Sequence, residues 1–201
     1  GTIIWGCLGW RGWLSVVAYL MLGSIVTRLG FSHKKMAGIA EARGGKRGPE
    51  NVWGSAATGT FLAIFIKIGI GSERILLAAF AASFAAKLAD TFGSEIGKRW
   101  GRQTVLITNF KSVPPGTDGA ISWQGTCASA IGSLVMTMLM VRLSLVPAGT
   151  VAIIVIFIGL ISTLIESYIG AIVQAKHSFM SNEVVNFIQT SLTQCQIGEE
   201  V

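Results

Sequence analysis

Five stretches of this chain stay apolar for about the width of a bilayer, and no other feature constrains its fold as strongly. They run approximately over Thr2–Thr27, Val52–Gly71, Ile75–Gly97, Ala120–Val146 and Gly149–Val173. A hydrocarbon core of about 30 Å is crossed by roughly 20 helical residues, so each run is long enough to span. Composition agrees: 51% of the residues are hydrophobic and 13% charged, with a mean hydropathy of +0.62. Soluble domains carry about 25% charged residues. A sixth segment, Glu183–Ile197 (EVVNFIQTSLTQCQI), is mixed in character and makes a helix of only about 22 Å, a half-span or an interfacial helix. Gly and Ser are frequent within the runs, as suits helices that pack closely in lipid. The expected architecture is one all-α transmembrane domain over residues 1–201, a polytopic bundle of five or six helices in a lipid bilayer.

The basic residues orient such a bundle. Arg28, Lys34, Lys35, Arg43, Lys46 and Arg47 occupy the first long loop, Lys98, Arg99, Arg102 and Lys111 the second, and Lys176 the third. With alternating spans all of these lie on one face, whereas the opposite connections GSER and VPAGT hold only Arg74. A basic face is the cytoplasmic or stromal side. Trp5, Trp10 and Trp13 mark one end of the spans, and Trp53, Trp100 and Trp123 the other, in the manner of an aromatic belt. Basic residues sorted in this way point to a membrane face and not to nucleic acid. For Arg28, Lys34, Lys35 and Arg99 a role in orientation and in contact with anionic lipid explains the charge as well as any other.

Two loops on that face carry more than orientation requires. EARGGKRGPENVWG (Glu41–Gly54) interleaves glycines with Arg43, Lys46 and Arg47 and reaches Asn51 where a helix would begin. Glycines let backbone amides approach an anion, Arg and Lys add charge, and helix N-termini favour phosphate. No GxxxxGK[ST] pattern occurs, so this is not a Walker loop. SVPPGTDGAISWQGT (Ser112–Thr126) follows Lys111 and combines a Pro-Gly turn with hydroxyl, acid and glycine before opening a helix. Such turns form anion nests, although a plain helix start capped by Thr117 or Asp118 reads the same residues.

Charges also enter the spans. In KLADTFGSEIG, Asp90 lies about seven residues, roughly 10 Å, from the inner end of its helix, with Lys87 one turn deeper as an (i, i+3) partner. Glu95 lies on a flank of the same helix near the interface. Glu166 on the fifth run and Asn186 in the sixth segment reach a similar depth to Asp90. Ionisable groups inside a membrane mark function by default, and hard oxygen ligands at one level suit Mg²⁺. The rival readings are a structural Lys87–Asp90 ion pair and a protonated Glu166 bonded to a neighbouring helix. Cys7, Cys127 and Cys195 have no ligand or disulfide spacing, and His33 and His177 stand in loops without partners.

GIAEARGGKRGPENVWG, KLADTFGSEIGK, LITNFKSVPPGTDGAISWQGT, IESYIGA and NEVVNF, in this order over about Gly38–Ile188, resemble the integral-membrane family that contains the phytyl-phosphate kinase of tocopherol and phylloquinone biosynthesis. The resemblance implies an enzyme that transfers a phosphoryl group from a nucleoside triphosphate, typically CTP, to phytyl or another prenyl monophosphate. It also implies a chloroplast or cyanobacterial membrane. The residues themselves, read with that chemistry, assign Asp90 and Glu95 to Mg²⁺, with Glu166 as a further ligand of the metal or a support behind its ligands. Glu41, Arg43, Lys46, Arg47 and Asn51, together with Asn186, serve the nucleotide and its phosphates. Lys87, Lys111 and Thr117 meet the acceptor or the transferred phosphoryl group. A homo-oligomer stays open.

Two other classes fit part of the pattern. A CDP-alcohol phosphotransferase is also a helical membrane enzyme, but its repeated DG…AR…G…D…D signature is absent. A transporter would explain charges within spans, but those charges belong near the bilayer centre, whereas these gather toward one face.

Overall fold

The structure is a computed structural model and describes residues 1–40 and 49–174. Its helices are α1 (Thr2–Arg28), α2 (Phe31–Met36), α3 (Pro49–Ile68), α4 (Glu73–Trp100), α5 (Trp123–Arg142) and α6 (Thr150–Ile169). A π-helical turn, Gly170–Gln174, continues α6. Among the described residues α1, α4, α5 and α6 with its continuation are long and apolar enough to cross a membrane, and α3 adds the shorter apolar stretch Ala56–Ile68. The expected spans therefore fall on helices, within a few residues at each end. The sixth segment, Glu183–Ile197, lies outside the described residues.

α4 is the hub of the bundle. It packs against α1, α3, α5 and α6, and 72% of its apolar window is buried, against 44% for α5 and 39% for α6. Its sequence explains this position. Ala85, Ala89, Gly93 and Gly97 recur every four residues and so share one face, which meets Gly125, Ser129 and Gly132 of α5. The approach is backbone to backbone: a Cβ at Gly132 would lie 2.8 Å from the Leu88 carbonyl oxygen, and one at Gly125 2.9 Å from that of Gly93. Lipid tails are as apolar as leucine, so helices in a bilayer gain little by hiding apolar area and associate through close packing of this kind. On the other side, Tyr19 of α1 meets Phe84 edge to face at 5.7 Å, and Phe84 tilts against Phe80 at 5.0 Å. The outward faces of α5 and α6 present Ile131, Leu134, Met138, Ile153, Phe157 and Ile161, as lipid-facing surfaces do.

One expectation needs correction. The helix expected from Ala120 begins at Trp123, because Ala120–Ser122 is a β-strand, β2. It pairs antiparallel with β1 (Thr104–Leu106) in the register Thr104↔Ser122, Val105↔Ile121 and Leu106↔Ala120. β-Branched residues at three of these six positions favour extended pairing over a helical first turn. The cap of α5 is Ser122, whose Oγ accepts from the Gly125 amide at 3.2 Å, and not Thr117 or Asp118.

Candidate functional site

The C-terminal ends of α1, α4 and α6, the start of α5 and the β1–β2 hairpin converge at one end of the bundle. They enclose a cavity of about 220 Å³. Arg28, Lys34, Lys98, Arg99 and Arg102 belong to the same end, the basic face that the sequence leads one to expect.

Lys87 stands at the deep side of this cavity and is only 2% exposed. Its Nζ lies 3.3 Å from Asp90 Oδ2 and 3.6 Å from Glu166 Oε1. The (i, i+3) spacing puts Asp90 one turn above Lys87 on the same face of α4, while Glu166 arrives from α6. The three-way cluster is therefore a product of tertiary packing as well as of local sequence. Glu166 Oε2 is buried and has no hydrogen-bond partner among the described groups. A buried carboxylate oxygen without a partner is costly, and such an oxygen marks a place where a ligand atom or cation would be favoured.

A second ionic cluster lies nearer the mouth. Glu95, 4% exposed, pairs through Oε2 with Lys34 of α2 and lies 3.8 Å from Lys98 Nζ through Oε1. Lys34 is fully buried and also donates to the Thr27 carbonyl at 2.8 Å, at the C-terminal end of α1. The three proposed metal carboxylates are thus not brought together. Asp90 and Glu166 share Lys87, but Glu95 is turned to Lys34 and Lys98. No group of three or more Asp, Glu, His or Cys side chains close enough to hold a metal occurs among the described residues. Mg²⁺ needs only one or two carboxylates when phosphates and waters complete its shell, and Asp90 with Glu166 meets that requirement.

The Pro-Pro-Gly loop forms another wall. Pro114–Thr117 is a type II turn: the Thr117 amide reaches the Pro114 carbonyl at 3.3 Å, and Gly116 occupies the third position at φ +90. A second turn follows at once, closed by the Ala120 amide on the Thr117 carbonyl at 3.0 Å, with Gly119 at φ +73. Gly119 packs so closely on α6 that a Cβ there would lie 2.7 Å from the Ser167 carbonyl oxygen. The loop therefore rests on the end of α6, where the helix loosens into its π turn, a distortion often found at functional sites. Thr117 and Asp118 line the cavity, although the Thr117 hydroxyl also bonds the Pro114 carbonyl at 2.8 Å.

Of the residues singled out from the sequence, Lys87, Asp90, Glu95, Thr117 and Glu166 line this one cavity. Lys111 does not. It is exposed in the hairpin, its carbonyl bonded to the Leu106 amide and its own amide to Asn109 Oδ1. Asn51 falls in the first turn of α3, where the backbone alone is described. Glu41, Arg43, Lys46, Arg47 and Asn186 lie outside the described residues. Sequence reasoning undervalued Lys34, which it grouped with Lys35 as an orienting charge. Two adjacent lysines in a six-residue helix carry no signal that one is buried; only the position of α2 against α4 reveals it. Thr27, Ser129 and Thr163, which also line the cavity, gave no signal distinct from the many other hydroxyls in the spans.

The chain matches the family of integral membrane proteins described as "Integral membrane protein DUF92" over residues 1–194, and belongs to it. It is 47% identical over 193 residues to the uncharacterized membrane protein sll0875 of Synechocystis sp., covering 96% of this chain and 74% of that protein. It is 39% identical over 197 residues to Protein VTE6, chloroplastic, of Arabidopsis thaliana, covering 96% of this chain but only 59% of that longer relative. It is 30% identical over 194 residues to the uncharacterized membrane protein MJ0933 of Methanocaldococcus jannaschii, with coverage of 94% and 76%. No solved structure matches it.

Proposed function

We propose that this chain is a membrane-embedded phosphotransferase. It moves the terminal phosphoryl group of a nucleoside triphosphate, CTP, to phytyl monophosphate, yielding phytyl diphosphate and CDP for tocopherol and phylloquinone synthesis. The observation that carries this reading is the Lys87–Asp90–Glu166 cluster, built on the buried Lys87 and Glu166, which shares a cavity with the Pro-Pro-Gly loop at the basic end of the bundle. Likeness to the chloroplastic VTE6 protein and to a cyanobacterial membrane protein supports a photosynthetic membrane, with the active face toward stroma or cytoplasm.

The chemistry asks for no side-chain nucleophile. An oxygen of the prenyl monophosphate attacks the terminal phosphorus of the nucleotide as the bond to the bridging oxygen breaks, so the protein must position two anions and stabilise their charge. Among the described residues, the cavity lining sets four acidic residues, Asp90, Glu95, Asp118 and Glu166, against two basic ones, Lys87 and Lys98. Phosphates set against these carboxylates call for a cation. Asp90 and Glu166 would hold Mg²⁺, which supplies charge neutralisation on the phosphate oxygens. The Lys87 ammonium, kept in place by both carboxylates, bears on the transferring group. Thr117 offers polar contact from the loop. Arg43, Lys46 and Arg47, with Glu41, Asn51 and Asn186, would serve the nucleotide on the aqueous side. The prenyl tail stays in lipid.

The test is a purified-protein assay that pairs phytyl, farnesyl and geranylgeranyl monophosphates with CTP, UTP and ATP. Prenyl diphosphate should form with phytyl phosphate and CTP. If none forms in any combination, the kinase reading fails, and transport of a charged solute becomes the reading to pursue.

A further inference from the structure

Lys34 stands outside the cavity lining, yet it is fully buried and its ammonium grips a carboxylate that faces the cavity. It comes from α2, a helix of six residues that is joined to the mouth of the site at three points. Gly30, the residue before α2, lies against Arg99 of α4 so tightly that a Cβ would be 2.5 Å from Arg99 Cδ. Lys34 binds Glu95 of α4 and the last turn of α1. Ile39, whose amide bonds the Lys34 carbonyl at 3.0 Å, packs on Gly116 of the Pro-Pro-Gly loop. A segment held in this way is a strap, and its one buried charge sits behind a cavity wall.

The ammonium matters because of what it faces. Glu95 presents a carboxylate within a lining that is acidic among the described residues, and the nearest described cation to its other oxygen is the partly exposed Lys98 at 3.8 Å. Without Lys34 that carboxylate would stand close to uncompensated and would repel an incoming anion. The carbonyl of Thr27, at the negative end of the α1 dipole, secures the cation in its place.

We propose that Lys34 is a positioning residue that sets the charge selectivity of the cavity. By neutralising Glu95 from behind, it lets the site admit an anionic headgroup of the phosphate class. This deepens the kinase reading and rests on it only for the identity of the anion.

Charge-selective labelling tests this without any substrate. Ser94 is exposed, lines the cavity and neighbours Glu95. In the full chain, with Cys7, Cys127 and Cys195 changed to Ala, Ser94→Cys is labelled with methanethiosulfonates that carry either a sulfonate or a trimethylammonium group. The ratio of anionic to cationic labelling rates should fall at least about fivefold in Lys34→Met and rise by a similar factor in Glu95→Gln. In the double variant it should return to within about twofold of the parent. A unit charge at contact distance in water is worth about this much. A pair that only holds helices together would leave the ratio unchanged in folded protein, and an unchanged ratio in the single variants overturns the proposal. If Lys34→Met cannot be purified folded, Glu95→Gln carries the same test with the opposite sign. Because the assay needs no prenyl phosphate, its outcome is independent of whether the chain proves to be a kinase.

Discussion

Among the described residues two lysines are almost wholly buried, and the difference between their surroundings separates support from chemistry. Lys34 meets one carboxylate oxygen and one backbone carbonyl, and Glu95 is engaged through both of its oxygens. In that cluster each carboxylate oxygen faces a cation. Lys87 lies between Asp90 and Glu166, and the second oxygen of Glu166 is buried with no hydrogen-bond partner among the described groups. That cluster has acidic capacity to spare. Both arrangements carry the desolvation cost of ions in a low-dielectric setting, but only the inner one retains an acceptor that a ligand could engage. Burial and ion pairing alone therefore do not identify a reactive group in a bundle such as this; incomplete satisfaction does.

The largest effect should come from Asp90. Asp90→Asn keeps the size of the side chain but removes its charge, and should lower prenyl diphosphate formation by roughly a hundredfold or more, the scale of losing one preorganised electrostatic group. Protein recovery from the membrane should be undiminished, since a charge at mid-helix costs about 2.5–3.5 kcal/mol on insertion scales. A variant that keeps its turnover would return the inner cluster to a structural role and erase its contrast with the outer one.

Lys87→Met should leave two carboxylates adjacent and unneutralised, and destabilise the protein by about 3–5 kcal/mol, as loss of one partner from a buried pair does. Thermal unfolding in detergent measures this. The comparison sharpens in the double variants. Lys34→Met/Glu95→Gln should regain stability lost in Lys34→Met, and Lys87→Met/Asp90→Asn should likewise regain stability lost in Lys87→Met, but without turnover. If the inner double variant recovers activity too, Asp90 is not a ligand of metal or phosphate.

Both clusters sit on α4, whose seam with α5 is probed by Gly132→Ala. The added methyl would meet the Leu88 carbonyl at 2.8 Å, and the resulting overpacking should cost about 1–3 kcal/mol in the same unfolding assay. An unchanged melting temperature would mean that the two helices can separate enough to admit a methyl group. The smallest effect belongs to Lys111→Ala. Exposed and away from the cavity, Lys111 should alter kcat/KM by less than about twofold, as surface positions generally do. A larger loss would restore the direct phosphate contact that its place in the sequence suggested.

What the sequence made legible follows from the range of the forces involved. The spans were visible because transfer into lipid depends on local apolarity summed over about 20 residues. The Lys87–Asp90 pair was visible because (i, i+3) neighbours meet on any helix, and the level of Glu166 followed from counting residues inward from a loop. The Lys34–Glu95 pair was not, because 61 residues separate its members and only the packing of α2 on α4 joins them. Glu95 was assigned to Mg²⁺ beside Asp90 although it lies on a flank of the helix nearer the interface, and that flank meets Lys34 of α2. The hairpin was missed for a related reason: Ala120–Ser122 continues an apolar run and becomes a strand only because Thr104–Leu106 returns beside it.

The central position of α4 also bears on how the protein is made. α4 emerges from the ribosome before α5 and α6, the helices that later cover much of its polar flank. In that interval Lys87 and Asp90 have each other, one turn apart on the same helix, so the nascent span carries a short dipole instead of two lone ions. Glu166 arrives with α6 and completes the inner cluster from the far side. A chain interrupted before α6 thus carries the Lys87–Asp90 pair without Glu166. Insertion of α4 and assembly of the inner cluster are in this sense separate events, the second waiting on α6.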